Sequence, residues 1–175
     1  MSGLEDLYRE IILDHYRSPR NRGELPAPPA QRVEGFNPLC GDEVVVYLDV
    51  EDGVLSDIRI GGQGCSISQS SASLMSAAVK GKPVGEVRDL IKVFKAMMSI
   101  HEARLGDGDR ATSRTEEDPA EEDPDEADDI AFDADSLGEL SALQGVVKFP
   151  VRIKCATLSW NTLAQGLDQA EVPVA

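Results

Sequence analysis

Three cysteines, Cys40, Cys65 and Cys155, hold most of the chemical potential of this 175-residue chain. Cys40 lies in Asn37-Pro38-Leu39-Cys40-Gly41-Asp42, Cys65 in Gly61-Gly62-Gln63-Gly64-Cys65-Ser66, and Cys155 in Arg152-Ile153-Lys154-Cys155. No Cys-x-x-Cys pair occurs, so the zinc-ribbon signature is absent, and an odd, sparse set excludes a disulfide framework. One reading is three unrelated buried thiols, since a free cysteine packs as a small hydrophobe. The surroundings favour another. Gly41, Gly61, Gly62 and Gly64 let the backbone turn sharply and approach an ion or a partner closely. Asp42, two residues from Cys40, adds a carboxylate on the same strand. Three thiolates and one carboxylate make the four-coordinate tetrahedral set that Zn²⁺ prefers.

Such a set leaves roughly two surplus negative charges around a divalent ion. Arg152 and Lys154, beside Cys155, could offset them and favour thiolate over thiol; the other reading of both bases is a solvated surface. A helix starting near Ser66 would also aim its positive end at Cys65.

The elements that must position these residues follow from periodicity. Leu4, Leu7, Tyr8, Ile11 and Ile12 recur at helical spacing, and Ser18-Pro19 ends that helix. A strand is predicted from Gln31 to Phe36. Val44, Val46, Leu48 and Val50 alternate along a second strand, and Val54, Ile58 and Ile60 along a third, joined by an Asp52-Gly53 turn. Asp57 and Arg59 should face solvent. Gly61, Gly62 and Gly64 are expected to break the third strand before Cys65.

Leu74, Met75, Ala78 and Val79 then mark a helix. Val84, Val87, Leu90, Ile91, Phe94 and Met98 mark the next, with Pro83 at its first turn. Apolar pattern returns at Leu137, Leu140 and Leu143, and a last helix is predicted around Cys155 to Leu167. The Met97-Met98 pair belongs to a core stripe, and His15, closing the first helix, reads as a packing or capping residue. All three cysteines are expected at element ends, converging on one rim.

Charge is unevenly spread. The chain carries a net charge of −15, but residues 104–136 alone hold 14 acidic residues against three arginines. That stretch has no apolar period and cannot bury enough surface to offset the entropy of ordering, so a disordered insertion is expected there within a single domain spanning 1–175. The remainder is nearly neutral and has no basic stripe, which argues against nucleic-acid binding. No run of about 18 apolar residues exists, so no membrane-spanning helix is expected. With no basic-then-apolar leader at Met1–Asp6, a cytoplasmic protein is expected. Gly62-x-Gly64 lacks the third glycine of a dinucleotide fingerprint and is not followed by the Lys-Ser/Thr of a P-loop.

Four blocks occurring in order resemble the U-type iron–sulfur assembly proteins (the IscU and NifU N-terminal-like family), and the SufU branch in particular. They are Asp14-His15-Tyr16, Asn37 to Asp42, Gly62 to Ser68, and Arg152 to Leu158. The resemblance covers roughly residues 4 to 103 and 137 to 168. It implies an α+β fold: a small, mainly antiparallel three-stranded sheet with helices packed on one face and the cysteines at one end. It further implies a zinc-dependent sulfurtransferase, a carrier of persulfide sulfur from a SufS-type cysteine desulfurase to SufBCD-type assembly machinery. Its zinc ligands would be Cys40, Asp42, Cys65 and Cys155, with Cys40 the sulfur acceptor. Scaffold-type relatives that build a [2Fe–2S] cluster have a His directly before the third cysteine, where this chain has Lys154. A cluster scaffold and a zinc-stabilised adaptor without chemistry stay open as alternatives.

Overall fold

The computed structural model describes residues 2–27, 29–38, 40–105 and 137–171. Nearly all of the acidic stretch expected to be an insertion lies outside these residues.

Helix α1 spans Ser2–Arg17. Its buried side is narrower than the apolar spacing predicts. Ile11 and Ile12 pack against the core, His15 is buried, and Leu7 is exposed. Three strands follow, β1 (Gln31–Asn37), β2 (Asp42–Glu51) and β3 (Val54–Gln63), paired antiparallel in the order β1-β2-β3. Asn37 pairs with Asp42 at one end of the sheet, and Glu43 with Gln63. The last residue of β1 and the first of β2 are therefore neighbours of the end of β3, which gathers the chain around Cys40 and Cys65 at one edge.

One expectation about β3 holds in part and another needs correction. The strand ends before Cys65, as expected, but it runs through Gly61 and Gly62 to Gln63, so that only Gly64 lies beyond its end. Gly62 has a φ of +107°, and a Cβ there would collide with the backbone of Glu43, so the close pairing itself requires glycine. The inward residues are Leu55, Ile58 and Ile60, with Val54 only half-buried. A bulge at Asp49/Val50 shifts the register, and one extra residue flips the face of everything beyond it.

Helix α2 (Ser66–Val79) and α3 (Val84–Leu105) follow, the latter burying Val84, Val87, Ile91, Phe94, Met97 and Met98. A 3₁₀ segment covers Gly138–Lys148. Leu137, Leu140, Leu143 and Val146 are all buried there, and their strict three-residue spacing matches a helix of three residues per turn.

The last helix, α4, spans Pro150–Glu171. It starts five residues before Cys155, earlier than expected, because proline suits a first helical position whose N–H would be unpaired anyway. Cys155 thus sits inside the helix and not at its end. Close packing of α4 on the sheet depends on two glycines. A Cβ at Gly35 would strike Thr162, and one at Gly166 would lie 2.5 Å from Leu48. Val33, Val46, Leu48, Ile58, Trp160, Leu163 and Leu167 belong to one core. Phe94 of α3 stacks on Trp160 at 4.3 Å between ring centroids. Among the described residues no helix is long and apolar enough to cross a membrane.

Candidate metal centre

Each cysteine arrives by a different local device. Cys40 stands in the turn between β1 and β2, where the Gly41 N–H donates to Asn37 O at 2.9 Å and Gly41 adopts a φ of +70°. Cys65 caps α2. Its φ/ψ of −69°/167° is extended, and its sulfur accepts from the Ser68 N–H at 3.4 Å. This puts the sulfur at the positive end of the helix. Cys155 projects from α4 and is fully buried, while Cys40 is exposed and Cys65 intermediate.

Asp42 joins them. It is 1% exposed. Its Oδ1 accepts from the Cys65 N–H at 2.9 Å and its Oδ2 lies 3.8 Å from Cys65 Sγ. Cys40 Sγ and Cys155 Sγ are 3.6 Å apart, and the ligand atoms of Cys40, Asp42 and Cys155 all lie within 4.8 Å of one another. Gly64 makes room for the carboxylate, since a Cβ there would be 2.6 Å from Asp42 Oδ1.

These separations suit a tetrahedral ion. With Zn–S near 2.3 Å and Zn–O near 2.0 Å, tetrahedral geometry puts two sulfurs ~3.8 Å apart and a sulfur and an oxygen ~3.5 Å apart. The 3.6 Å between the Cys40 and Cys155 sulfurs and the 3.8 Å from Cys65 Sγ to Asp42 Oδ2 are each close to these values. The group whose ligand atoms all lie within 4.8 Å of one another, however, is Cys40, Asp42 and Cys155, and Cys65 reaches it through Asp42. The chemistry of the donors agrees, because three soft sulfurs and one carboxylate suit zinc better than magnesium or calcium.

Electrostatics point the same way. Burial, then hydrogen bonding with Asp42 and Cys40, pushes the Cys155 thiol far above the ordinary thiol range. Arg152 faces this cluster. Attraction to Cys65 and a hydrogen bond with it, followed by attraction to Cys155, hold its guanidinium above the usual arginine value. Lys154 takes a different position. It is exposed and lines an open groove of about 480 Å³ with Phe36, Pro38, Thr157 and Asn161.

Asn37 was not singled out by its sequence context. It is buried, and its Nδ2 lies 3.9 Å from Cys155 Sγ. Its place three residues before Cys40, at the head of an Asn-Pro turn, was the only available signal. Of the packing and capping roles expected for His15, the structure shows packing: the residue is buried. Its ring sits between Ser73 Oγ at 2.8 Å and Glu139 Oε2 at 3.1 Å, tying α1 to α2 and the 3₁₀ segment.

A sulfur-rich candidate metal centre at one end of a three-stranded antiparallel meander backed by helices defines the chain as a small α+β protein with its site at a sheet edge. Residues 7–118 match the NifU-like N-terminal domain. The chain is 37% identical over 170 residues to the zinc-dependent sulfurtransferase SufU of Bacillus subtilis, covering 97% of this chain and 95% of that protein. It is 34% identical to the iron–sulfur cluster assembly scaffold protein IscU of Thermotoga maritima, covering 95% and 96%. Among solved structures, the cluster assembly scaffold protein proposed for the SUF system of Fervidobacterium islandicum aligns with a TM-score of 0.68 at 29% identity, covering 93% and 98%. The NifU-like N-terminal protein of Brucella abortus, at 21% identity and a TM-score of 0.70, shares the fold over 98% and 99%. The chain belongs to the NifU-like N-terminal domain family and is an iron–sulfur cluster assembly protein of the SufU/IscU type.

Proposed function

We propose that this protein is a zinc-dependent sulfur carrier. It would accept persulfide sulfur on Cys40 from a SufS-type cysteine desulfurase and deliver it to SufBCD-type assembly machinery. The observation that carries this reading is the graded burial of the sulfurs. Cys155 is enclosed, Cys65 is pinned by Asp42 and the α2 cap, and Cys40 alone stands exposed on a glycine-adjacent turn. A bound Zn²⁺ would hold the ligand sulfurs as thiolates and damp their reactivity.

The chain's own residues supply the rest. Asp42, Cys65 and Cys155 would be the ligands that hold an ion while Cys40 is free. Arg152 balances their charge. Freed Cys40 attacks the outer sulfur of the donor persulfide. A bond forms from Cys40 Sγ to that sulfur, the donor S–S bond breaks, and the donor leaves as its own thiolate. The relative named a zinc-dependent sulfurtransferase supports the reading, as does Lys154 at the position where scaffold-type proteins carry His. Relatives named as scaffolds keep the [2Fe–2S] alternative in view.

Protein purified without added metal, assayed for Zn, Fe and acid-labile sulfide, should hold zinc and neither iron nor sulfide. Incubated with the desulfurase and cysteine, it should gain 32 Da per transferred sulfur on Cys40 before any reductant is added. Iron and sulfide in equal amounts would replace the carrier by a scaffold. Desulfurase turnover unaffected by the protein, with no persulfide on any cysteine, would leave only an adaptor.

A further inference from the structure

Cys40 Sγ and Cys155 Sγ lie 3.6 Å apart, one exposed and one buried. A disulfide needs its sulfurs at about 2.05 Å, so closing this pair requires roughly 1.5 Å of travel. The two sides differ in their freedom to move. Cys155 belongs to α4, a 22-residue helix, and is enclosed. Cys40 stands beside Gly41, which adopts a φ of +70° and has open space around its Cα. Cys65 is a poorer partner for Cys40, since Asp42 and the Ser68 N–H already engage it. The fold therefore sets an accessible, adjustable thiol against a fixed, sheltered one.

We propose that Cys155 is the resolving thiol of Cys40. When no metal engages the two sulfurs, Cys155 discharges the sulfur that Cys40 carries as hydrosulfide and leaves a Cys40–Cys155 disulfide. The proposal rests on Cys40 being the sulfur acceptor. In the step, the Cys155 sulfur attacks Cys40 Sγ of the persulfide. The Sγ–Sγ bond forms, the bond from Cys40 Sγ to the outer sulfur breaks, and its electron pair leaves with that sulfur. The outer sulfur is reduced to hydrosulfide, the two cysteines are oxidised to the disulfide, and the Cys155 proton passes to solvent. No outside oxidant is needed. Metal occupancy then decides the fate of the cargo: with Cys155 held as a ligand the persulfide is kept, and with Cys155 free it is lost as hydrosulfide.

The test uses full-length protein stripped of zinc with a chelator, loaded with glutathione persulfide and desalted. Released hydrosulfide is measured colorimetrically, and intact mass is read after alkylation without reductant. The wild type should release about one hydrosulfide per chain, lose two alkylatable thiols and yield a linked peptide pair containing Cys40 and Cys155. Cys155→Ser and Cys155→Ala should keep the persulfide on Cys40, with hydrosulfide at least ~10-fold lower, and zinc-loaded wild type should show a similar retention. Equal release from the Cys155 variants, a link to Cys65, or an intact persulfide relocated to Cys155 would each overturn the proposal. A chain that takes no persulfide breaks the acceptor reading instead. The pairing is then read with glutathione disulfide, which must still give the Cys40–Cys155 link; its absence sinks the pairing as well.

Discussion

Around α2, where it meets α1, the chain that follows α1, and α4, the buried polar groups answer one another, whereas at the end of the sheet they converge without completing each other. In the first region Ser73 Oγ meets His15 Nδ1 and accepts from the Arg20 N–H, both at 2.8 Å. Ser76 Oγ donates to Ser73 O at 2.7 Å, and Asn21 Nδ2 donates to Ser76 Oγ at 3.1 Å. Ser71 Oγ donates to Ala156 O at 2.5 Å and accepts from Trp160 Nε1 at 3.2 Å. Donors and acceptors match, so the network needs nothing from outside. In the second region Cys40 and Cys155 sulfurs lie 3.6 Å apart, Cys65 Sγ lies 3.8 Å from Asp42 Oδ2, and the ligand atoms of Cys40, Asp42 and Cys155 fall within 4.8 Å of one another. All four become acceptors once ionised, and such a set is complete only around a cation. One buried polar cluster is therefore structural, and the other has the character of a site.

The sharpest way to break this contrast is to remove a sulfur ligand. Cys65→Ser should cut zinc from about one per chain to a small fraction. It should also lower the melting temperature by roughly 10 °C, because metal binding is linked to folding. Full zinc occupancy in that variant would remove Cys65 from the ligand set.

Ser73→Ala attacks the other region. It strands the buried His15 ring nitrogen and the Arg20 N–H, at a cost of about 1–3 kcal/mol. The melting temperature should fall by several degrees with zinc content unchanged, as elemental analysis of the purified variant would show. Loss of zinc alongside stability would mean the two regions are not separable.

Gly64→Ala sharpens the comparison at the site itself. The added methyl must push the Asp42 carboxylate, which should weaken zinc about 10- to 100-fold in a chelator competition. Unchanged affinity would mean that Asp42 is not a ligand. The smallest effect is expected outside both regions. We propose that the acidic stretch is a dispensable insertion. Replacing residues 107–134 with a short Gly-Ser bridge should leave zinc content unaltered and shift the melting temperature by no more than about 1–2 °C. A larger shift would give that stretch a structural role.

The periodic parts of the fold were legible in the residues. Alternation along Val44 to Leu48 and helical spacing from Val84 to Met98 record which side of an element meets the core, and that is a local property. The cysteines with Asp42 and their glycines could likewise be picked out as a potential ligand set, because donor type is written in the side chain. Three things required the tertiary structure. The bulge at Asp49/Val50 exchanged Val54 for Leu55 as the inward residue, since register is settled by pairing across strands. The buried serines of α2 carry no signal in the sequence, because their value lies in partners about 53 to 89 residues away. Gly64 beneath Asp42 depends on how the ends of β2 and β3 meet, and Asn37 beside Cys155 and the division of labour between Arg152 and Lys154 depend on where α4 crosses the sheet end. Sequence determined which groups could do chemistry. Packing decided which of them meet, how deeply each is buried, and which thiol is left exposed, because distance and desolvation are properties of the assembled chain.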